Sequence, residues 1–268
     1  MRHSIRVLSA AAMIWFGLIG AARADVYDYG DFDGNTVRYV GVAEETDAVD
    51  GFGNPVPLFG TPTGSGDSLD FDPVSFSAYA AAETGSPVEK RSVLSVLIDA
   101  LPGYTIGVLR FNEAGDYSLL GSGGGSDTSA TVTADFNIEI VQVDGNDVAP
   151  INLMASMDLN PSDGDYDMDN DNPDGDVLVQ GNWTGELDVD LTQALIDAGV
   201  SFVSGVTKVN VDLTNVLTST SEDGTSALIS KKDFGGTSIS VVIPLPPSVA
   251  MGLLGVAGIA LLGWKQRI

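Results

Sequence analysis

The sequence predicts an all-β fold over residues 25–243: a two-sheet sandwich of jelly-roll type. Three observations point there. Gly, Ser, Thr, Asp and Val dominate this span. Short runs alternate apolar and polar residues between clusters of turn formers, the period-two pattern of half-buried strands. No repeat of 20 to 50 residues is evident, which disfavours a propeller or a solenoid.

Residues 1–24 read as a secretory signal peptide that leaves a chain beginning near Asp25. Arg2 and Arg6 supply the positive start, Val7 to Gly20 the apolar stretch, and Ala22-Arg23-Ala24 the small-residue cleavage site. No Arg-Arg pair is present, which favours general secretion over the twin-arginine route.

The strands are then expected in order. Val26 to Phe32 and Thr36 to Val42 flank Asp33-Gly34-Asn35, a hairpin signal. Phe71 to Ala80 is a further strand. Ser92 to Ala100 and Tyr104 to Phe111 meet at Leu101-Pro102-Gly103, where Pro and Gly set a turn. Thr131 to Val143 alternates Val132, Ala134, Phe136, Ile138 and Ile140 with Thr133, Asp135, Asn137 and Glu139. Asp144-Gly145-Asn146 turns the chain into Val148 to Met157. Val177 to Leu191 and Phe202 to Leu217 are long strands, separated by one or two helical turns at Thr192 to Ala198. Ser238 to Ile243 closes the domain. Gly121 to Ser126 is a flexible loop, since no helix pattern follows it to cradle a phosphate.

Charge and composition restrict the chemistry. All 37 acidic residues lie in 25–243, against seven basic ones, so the body carries about −30. Nucleic-acid binding needs clustered Lys and Arg, and such a body repels phosphates. Divalent cations are attracted. The chain has no Cys, and its one His, His3, lies in the signal peptide. Ser-His-Asp and Cys-His catalysis and His or Cys zinc sites are therefore excluded from the body. Glycoside hydrolysis needs only two carboxylates. Glu113, Glu139 and Glu186 are available, but no motif pairs them, and the sequence reads as a non-enzyme.

The acidic run Asp158 to Asp176 is the candidate metal site. It holds eight Asp in 19 residues. Asp163, Asp165, Asp167, Asp169, Asp171, Asp174 and Asp176 are its candidate ligands, and calcium, which takes six to eight oxygens, is the expected ion. There is no Glu at a twelfth position and no flanking helix pattern, so this is not an EF-hand. It is similar to the Asp-rich calcium loops of extracellular repeat modules. A solvated acidic loop is the competing reading. Trp183, the one Trp of the body, stands after Gln180-Gly181-Asn182. It reads either as a sugar-stacking platform or, more commonly for Trp, as core. Tyr27 and Tyr29 share a strand face by period two.

The C-terminal segment 244–268 reads Pro244-Leu245-Pro246-Pro247-Ser248, then an apolar run Val249 to Trp264, then Lys265-Gln266-Arg267-Ile268. Sixteen apolar residues make a helix of roughly 24 Å, short for a hydrocarbon core of about 30 Å unless flanking residues help. Lys265 and Arg267 would hold that end on the cytoplasmic side. Proline motif, apolar helix and basic end resemble a PEP-CTERM sorting signal of the Val-Pro-Leu-Pro-Ala variant, with Pro244, Leu245 and Pro246 in the motif. Leu245 replaces the Glu of the main type, and Gln266 thins the basic cluster. The resemblance implies an exosortase-type membrane enzyme as processing partner, and transit through the inner membrane to the cell surface or extracellular matrix. A plain membrane anchor is the alternative. The expected function is that of a secreted surface or matrix protein associating with exopolysaccharide in a biofilm matrix, with calcium stabilising it. The alternative is a carbohydrate-binding module or a carboxylate-based carbohydrate-active enzyme.

Overall fold

The computed structural model describes residues 24–81, 87–121, 127–169, 177–232 and 237–243. Residues 1–23 of the expected signal peptide 1–24, the expected sorting segment 244–268 with Pro244, Leu245 and Pro246, and the candidate ligands Asp171, Asp174 and Asp176 lie outside them. Among the described residues no helix is long and apolar enough to cross a membrane.

Strands dominate. β1 (Asp25–Asp33) and β2 (Val37–Thr46) form the expected hairpin. Its turn is held from elsewhere: Asp67 accepts hydrogen bonds from the Thr36 amide and hydroxyl, both at 2.7 Å. β3 (Thr63–Ser65), β4 (Ser68–Phe71) and β5 (Ser77–Ala81) follow. The expected single strand Phe71 to Ala80 is thus two strands. Pro73 has no N–H to give to a ladder, and the chain turns through Asp72–Phe76 before pairing again. β6 (Val88–Ala100), β7 (Val108–Leu120), β8 (Ser129–Val143) and β9 (Asn146–Ser156) are long and regular. β10 (Asp158–Asn160) and β11 (Asp165–Asp167) are short. β12 (Leu178–Asp190) leads into helix α1 (Leu191–Asp197), capped by the Asp190 carboxylate on the Gln193 amide at 2.9 Å. β13 (Val206–Thr220), β14 (Ser226–Lys231) and β15 (Thr237–Val242) complete the body.

Among the described residues all the strand pairs are antiparallel, and they form two sheets. Sheet 1 runs β1-β2-β6-β13-β8, and the far edge of β8 is shared by β9 and β11. Sheet 2 runs β10-β12-β7 and then branches. The first half of β7 pairs with β15, which continues to β4 and β3; the second half pairs with β14, which continues to β5. The sheets face each other as a sandwich.

Period two decides what lies between them. On β13, Val209, Val211, Leu213 and Leu217 are buried while their neighbours are half-exposed. On β8 the buried set is Val132, Ala134, Phe136, Ile138, Ile140 and Val143. Phe111 of sheet 2 meets Phe136 of sheet 1 with ring centres 4.4 Å apart. Fully burying one such side chain contributes about 1.5–3 kcal/mol, and these stripes supply a continuous core. Some inward positions are polar, and those build the site.

Candidate functional site

The described half of the acidic run is a stitch between the two sheets. After Met157 the chain joins the edge of sheet 2 as β10, pairing with β12. It turns at Pro161, Ser162, Asp163 and Gly164, and returns to the edge of sheet 1 as β11, pairing with β8. Asp163 takes φ 52° and Gly164 φ 81°. A Cβ on Gly164 would overlap the Val132 carbonyl oxygen and the Leu159 side chain, so only glycine fits there. Leu159, Tyr166 and Met168 point inward and are buried; Asp163, Asp165 and Asp169 point out, and Asp167 is half-buried. Tyr166 stacks on Tyr117 of sheet 2 at 3.9 Å, closing that side of the sandwich.

The alternation of Asp with apolar residues is thus a strand pattern with one wet face. Among the described residues no three acidic side chains come together as a metal-binding group. Asp163, Asp165, Asp167 and Asp169 are strung along the stitch, and the other three candidate ligands lie outside the described residues.

Trp183 is core. It is 0% exposed on the inner face of β12. Its register partner on β7 is Gly115, which is also the partner of Lys231 on β14. Trp183, Gly115 and Lys231 therefore form one row across the inner face of sheet 2. The indole lies against Gly115 where a side chain would otherwise stand.

Beside that row lies a polar cluster sealed inside the sandwich. The Lys231 and Glu113 side chains are 0% and 1% exposed. Lys231 Nζ donates to Glu113 Oε1 at 2.6 Å and to Asn215 Oδ1 at 2.7 Å. Asn215 Nδ2 donates to the same Glu113 Oε1 at 2.7 Å. Glu113 comes from sheet 2 and Asn215 from sheet 1, so the cluster spans the layer between sheets. Phe59 and Phe76 cover the amine, their ring centres 4.8 and 5.4 Å from Nζ. Burial pulls the Lys231 amine down to about 8, against the opposing pull of Glu113 and Glu44. Glu113 Oε2 and Trp183 Nε1 are buried with no hydrogen-bond partner.

Glu44 is a second buried acid, and it fixes the covering loop. Its oxygens accept from the Leu58 amide at 2.6 Å, the Phe59 amide at 3.1 Å, Ser92 Oγ at 2.7 Å and Tyr29 Oη at 2.6 Å. Burial and the Glu44 bond both push the Tyr29 phenol far above its ordinary value. Phe59 is held over Lys231 by this carboxylate. Of the two tyrosines that share a face of β1, Tyr29 is thus tied into the interior through Glu44.

The three glutamates considered for hydrolysis stand on three different surfaces. Glu113 is inward on sheet 2. Glu139 lies on the outer face of sheet 1, accepting from Asn210 at 2.8 Å. Glu186 is exposed on the outer face of sheet 2, in register with Asp158 and Asn112. Lys231, Asn215 and Glu44 were not foreseen as site residues. A signal exists for Asn215, and likewise for the inward placement of Glu113. Asn215 stands between Leu213 and Leu217, and Glu113 between Phe111 and Gly115, at inward positions of period two. Lys231 closes a short strand, Ser226–Lys231, whose last three residues are all buried, so no alternation marks it.

No family model matches the chain, and no curated relative does. Among solved structures, TmCBM61 in complex with β-1,4-galactotriose is 7% identical, with 82% of this chain and 88% of that one covered, at a TM-score of 0.19. The enzymatically active domain of bacteriophage CBA120 tailspike protein 4 is 9% identical, with 62% and 19% covered, at 0.16. Similarity at this level establishes neither a shared fold nor a ligand.

Proposed function

We propose that this chain is an exported, surface-sorted structural protein of the extracellular matrix, associating with exopolysaccharide through its outer sheet faces. One observation supports the structural reading above all. The chemically distinctive groups of the body, Trp183, Glu113, Lys231, Asn215 and Glu44, are turned into a sealed interior that ties the two sheets together. The outer face of sheet 2 offers the polar groups Gln180, Asn182, Asp116 and Ser118, in one register with Leu228 and the exposed Tyr79. Asp116 is itself engaged, accepting from Ser230 Oγ and Lys232 Nζ. Such a face suits many weak polar contacts with a hydrated polymer.

The sorting half of the proposal rests on the 244–268 segment. Deleting residues 244–268 should move the protein from the membrane and surface fractions into the medium. Unchanged membrane association after fractionation would refute the sorting role. Alanines at Pro244 to Pro247, with the helix kept, should leave the tail uncut by mass spectrometry of the C-terminus.

Calcium stabilisation through the acidic run is the remaining part of the proposal. Calcium at a hundredfold excess over its dissociation constant would add about 2.7 kcal/mol, a rise in melting temperature of roughly 5–10 °C for a chain of this size. The gain should shrink with Asp169, Asp171 and Asp174 changed to Asn. Sodium chloride of equal ionic strength is the control, because it screens the net charge of about −30 unaided. Equal melting points in the two salts would leave the run a solvated edge.

A further inference from the structure

We propose that Lys231 and Asn215 join covalently, the lysine amine displacing the asparagine side-chain amide in a reaction assisted by Glu113. The product is an isopeptide cross-link from β14 of sheet 2 to β13 of sheet 1. It goes beyond the matrix reading and does not depend on where the protein resides.

The geometry supplies each part of an acyl transfer. Nζ is 2.7 Å from Oδ1 and therefore beside the carboxamide carbon, Cγ, that carries it. Two strands from opposite sheets hold the two groups in contact, which supplies the proximity that acyl transfer needs. Glu113 Oε1 touches both nitrogens, at 2.6 Å from Nζ and 2.7 Å from Nδ2. One oxygen is thus placed to take a proton from the nitrogen that must attack and to give one to the nitrogen that must leave. That is the position of a general acid–base. Glu113 touches the reacting atoms and is the catalytic residue.

The step balances without any redox partner. Lys231 passes one proton to Glu113 and becomes a neutral amine. Its lone pair adds to Asn215 Cγ. Nδ2 gains a proton through Glu113 while Nζ loses one, the Cγ–Nδ2 bond breaks, and ammonia departs. Ammonium, carboxylate and carboxamide become a secondary amide, a carboxylic acid and ammonia. Two buried charges disappear.

The surroundings favour this outcome over a permanent ion pair. A buried pair is sustained when its remaining lone pairs are satisfied, and Glu113 Oε2 has no partner. Phe59, Phe76 and Trp183 exclude water that would hydrate the ammonium. Burial also holds the amine near 8, within reach of its neutral, nucleophilic form.

Mass spectrometry of a tryptic digest of the full chain tests this. Trypsin cleaves after Lys208 and, in the linear form, after Lys231. A cross-linked Lys231 blocks the second cut, so the peptide runs from Val209 to Lys232. Loss of ammonia makes it about 17 Da lighter than its sequence, and fragmentation should place the link between Asn215 and Lys231. A succinimide at Asn210 or Asn215 has the same mass loss but leaves Lys231 cleavable, and that result would overturn the proposal. So would a peptide ending at Lys231 at full sequence mass. Glu113→Gln keeps the shape, and Lys231→Met and Asn215→Ala remove one partner each. All three should return the peptide to its linear mass, whereas a mass loss persisting in Glu113→Gln would remove Glu113 from the reaction. Wild-type digestion alone decides the main claim if a variant does not fold.

Discussion

Gly115→Ala should lower the melting temperature of the purified protein by roughly 6–12 °C. A Cβ at this position would overlap the Ser230 carbonyl oxygen and the Trp183 ring. Neither can withdraw cheaply. Ser230 belongs to a paired strand, and the indole is packed on all sides in the core. Overpacking of this kind costs about 3 kcal/mol, and each kcal/mol moves the melting point by about 2–4 °C in a chain of this length. A scan by circular dichroism reads it directly. A shift below about 2 °C would mean that β12 slides past β7 more freely than the register implies.

The second large effect is at Glu44. Glu44→Leu leaves the Leu58 and Phe59 amides and Ser92 Oγ without their buried acceptor. Each orphaned buried donor costs about 1–3 kcal/mol, so a loss of about 3–5 kcal/mol is expected in urea denaturation. Glu44→Gln retains one oxygen and should lose less. If Glu44→Leu stayed within about 1 kcal/mol of the parent, water must reach the loop around Leu58. That result would also question how tightly Phe59 covers Lys231.

Legibility in the sequence followed the hydrophobic period. β8 and β12 alternate cleanly, and their positions followed from that; the β1–β2 hairpin was marked by its Asp33-Gly34-Asn35 turn, while its alternation is broken by register shifts near Gly30 and Gly41. Phe71 to Ala80 misled because its aromatic and small residues read as one strand, while Pro73 and the turn after it divide it between two branches of a sheet. β14 was not legible, since Ile229, Ser230 and Lys231 are buried together where β5, β7 and the covering aromatics converge. The acidic run was legible as composition only. That Tyr166 and Met168 are its inward face, and Asp165 and Asp169 its wet one, depends on β8 lying alongside, which no local window contains. The interior cluster has the same cause. Glu113, Asn215 and Lys231 come from three strands and meet only once two sheets have closed.

The placement of β15 has a mechanical consequence. It is the strand from which the chain leaves the body, and it is flanked on both sides, by β7 and by β4. A pull on Ile243 along the strand loads both ladders in shear, with the hydrogen bonds lying across the force, so that many must fail together rather than one after another. The opposite end of the body, β1, belongs to the other sheet and, among the described strands, pairs with β2 alone. Tension between the two ends must therefore pass from sheet to sheet, by way of Asp67, which accepts from Thr36 of the β1–β2 turn and from the Val241 amide of β15, and of the layer in which Lys231 of one sheet meets Asn215 of the other.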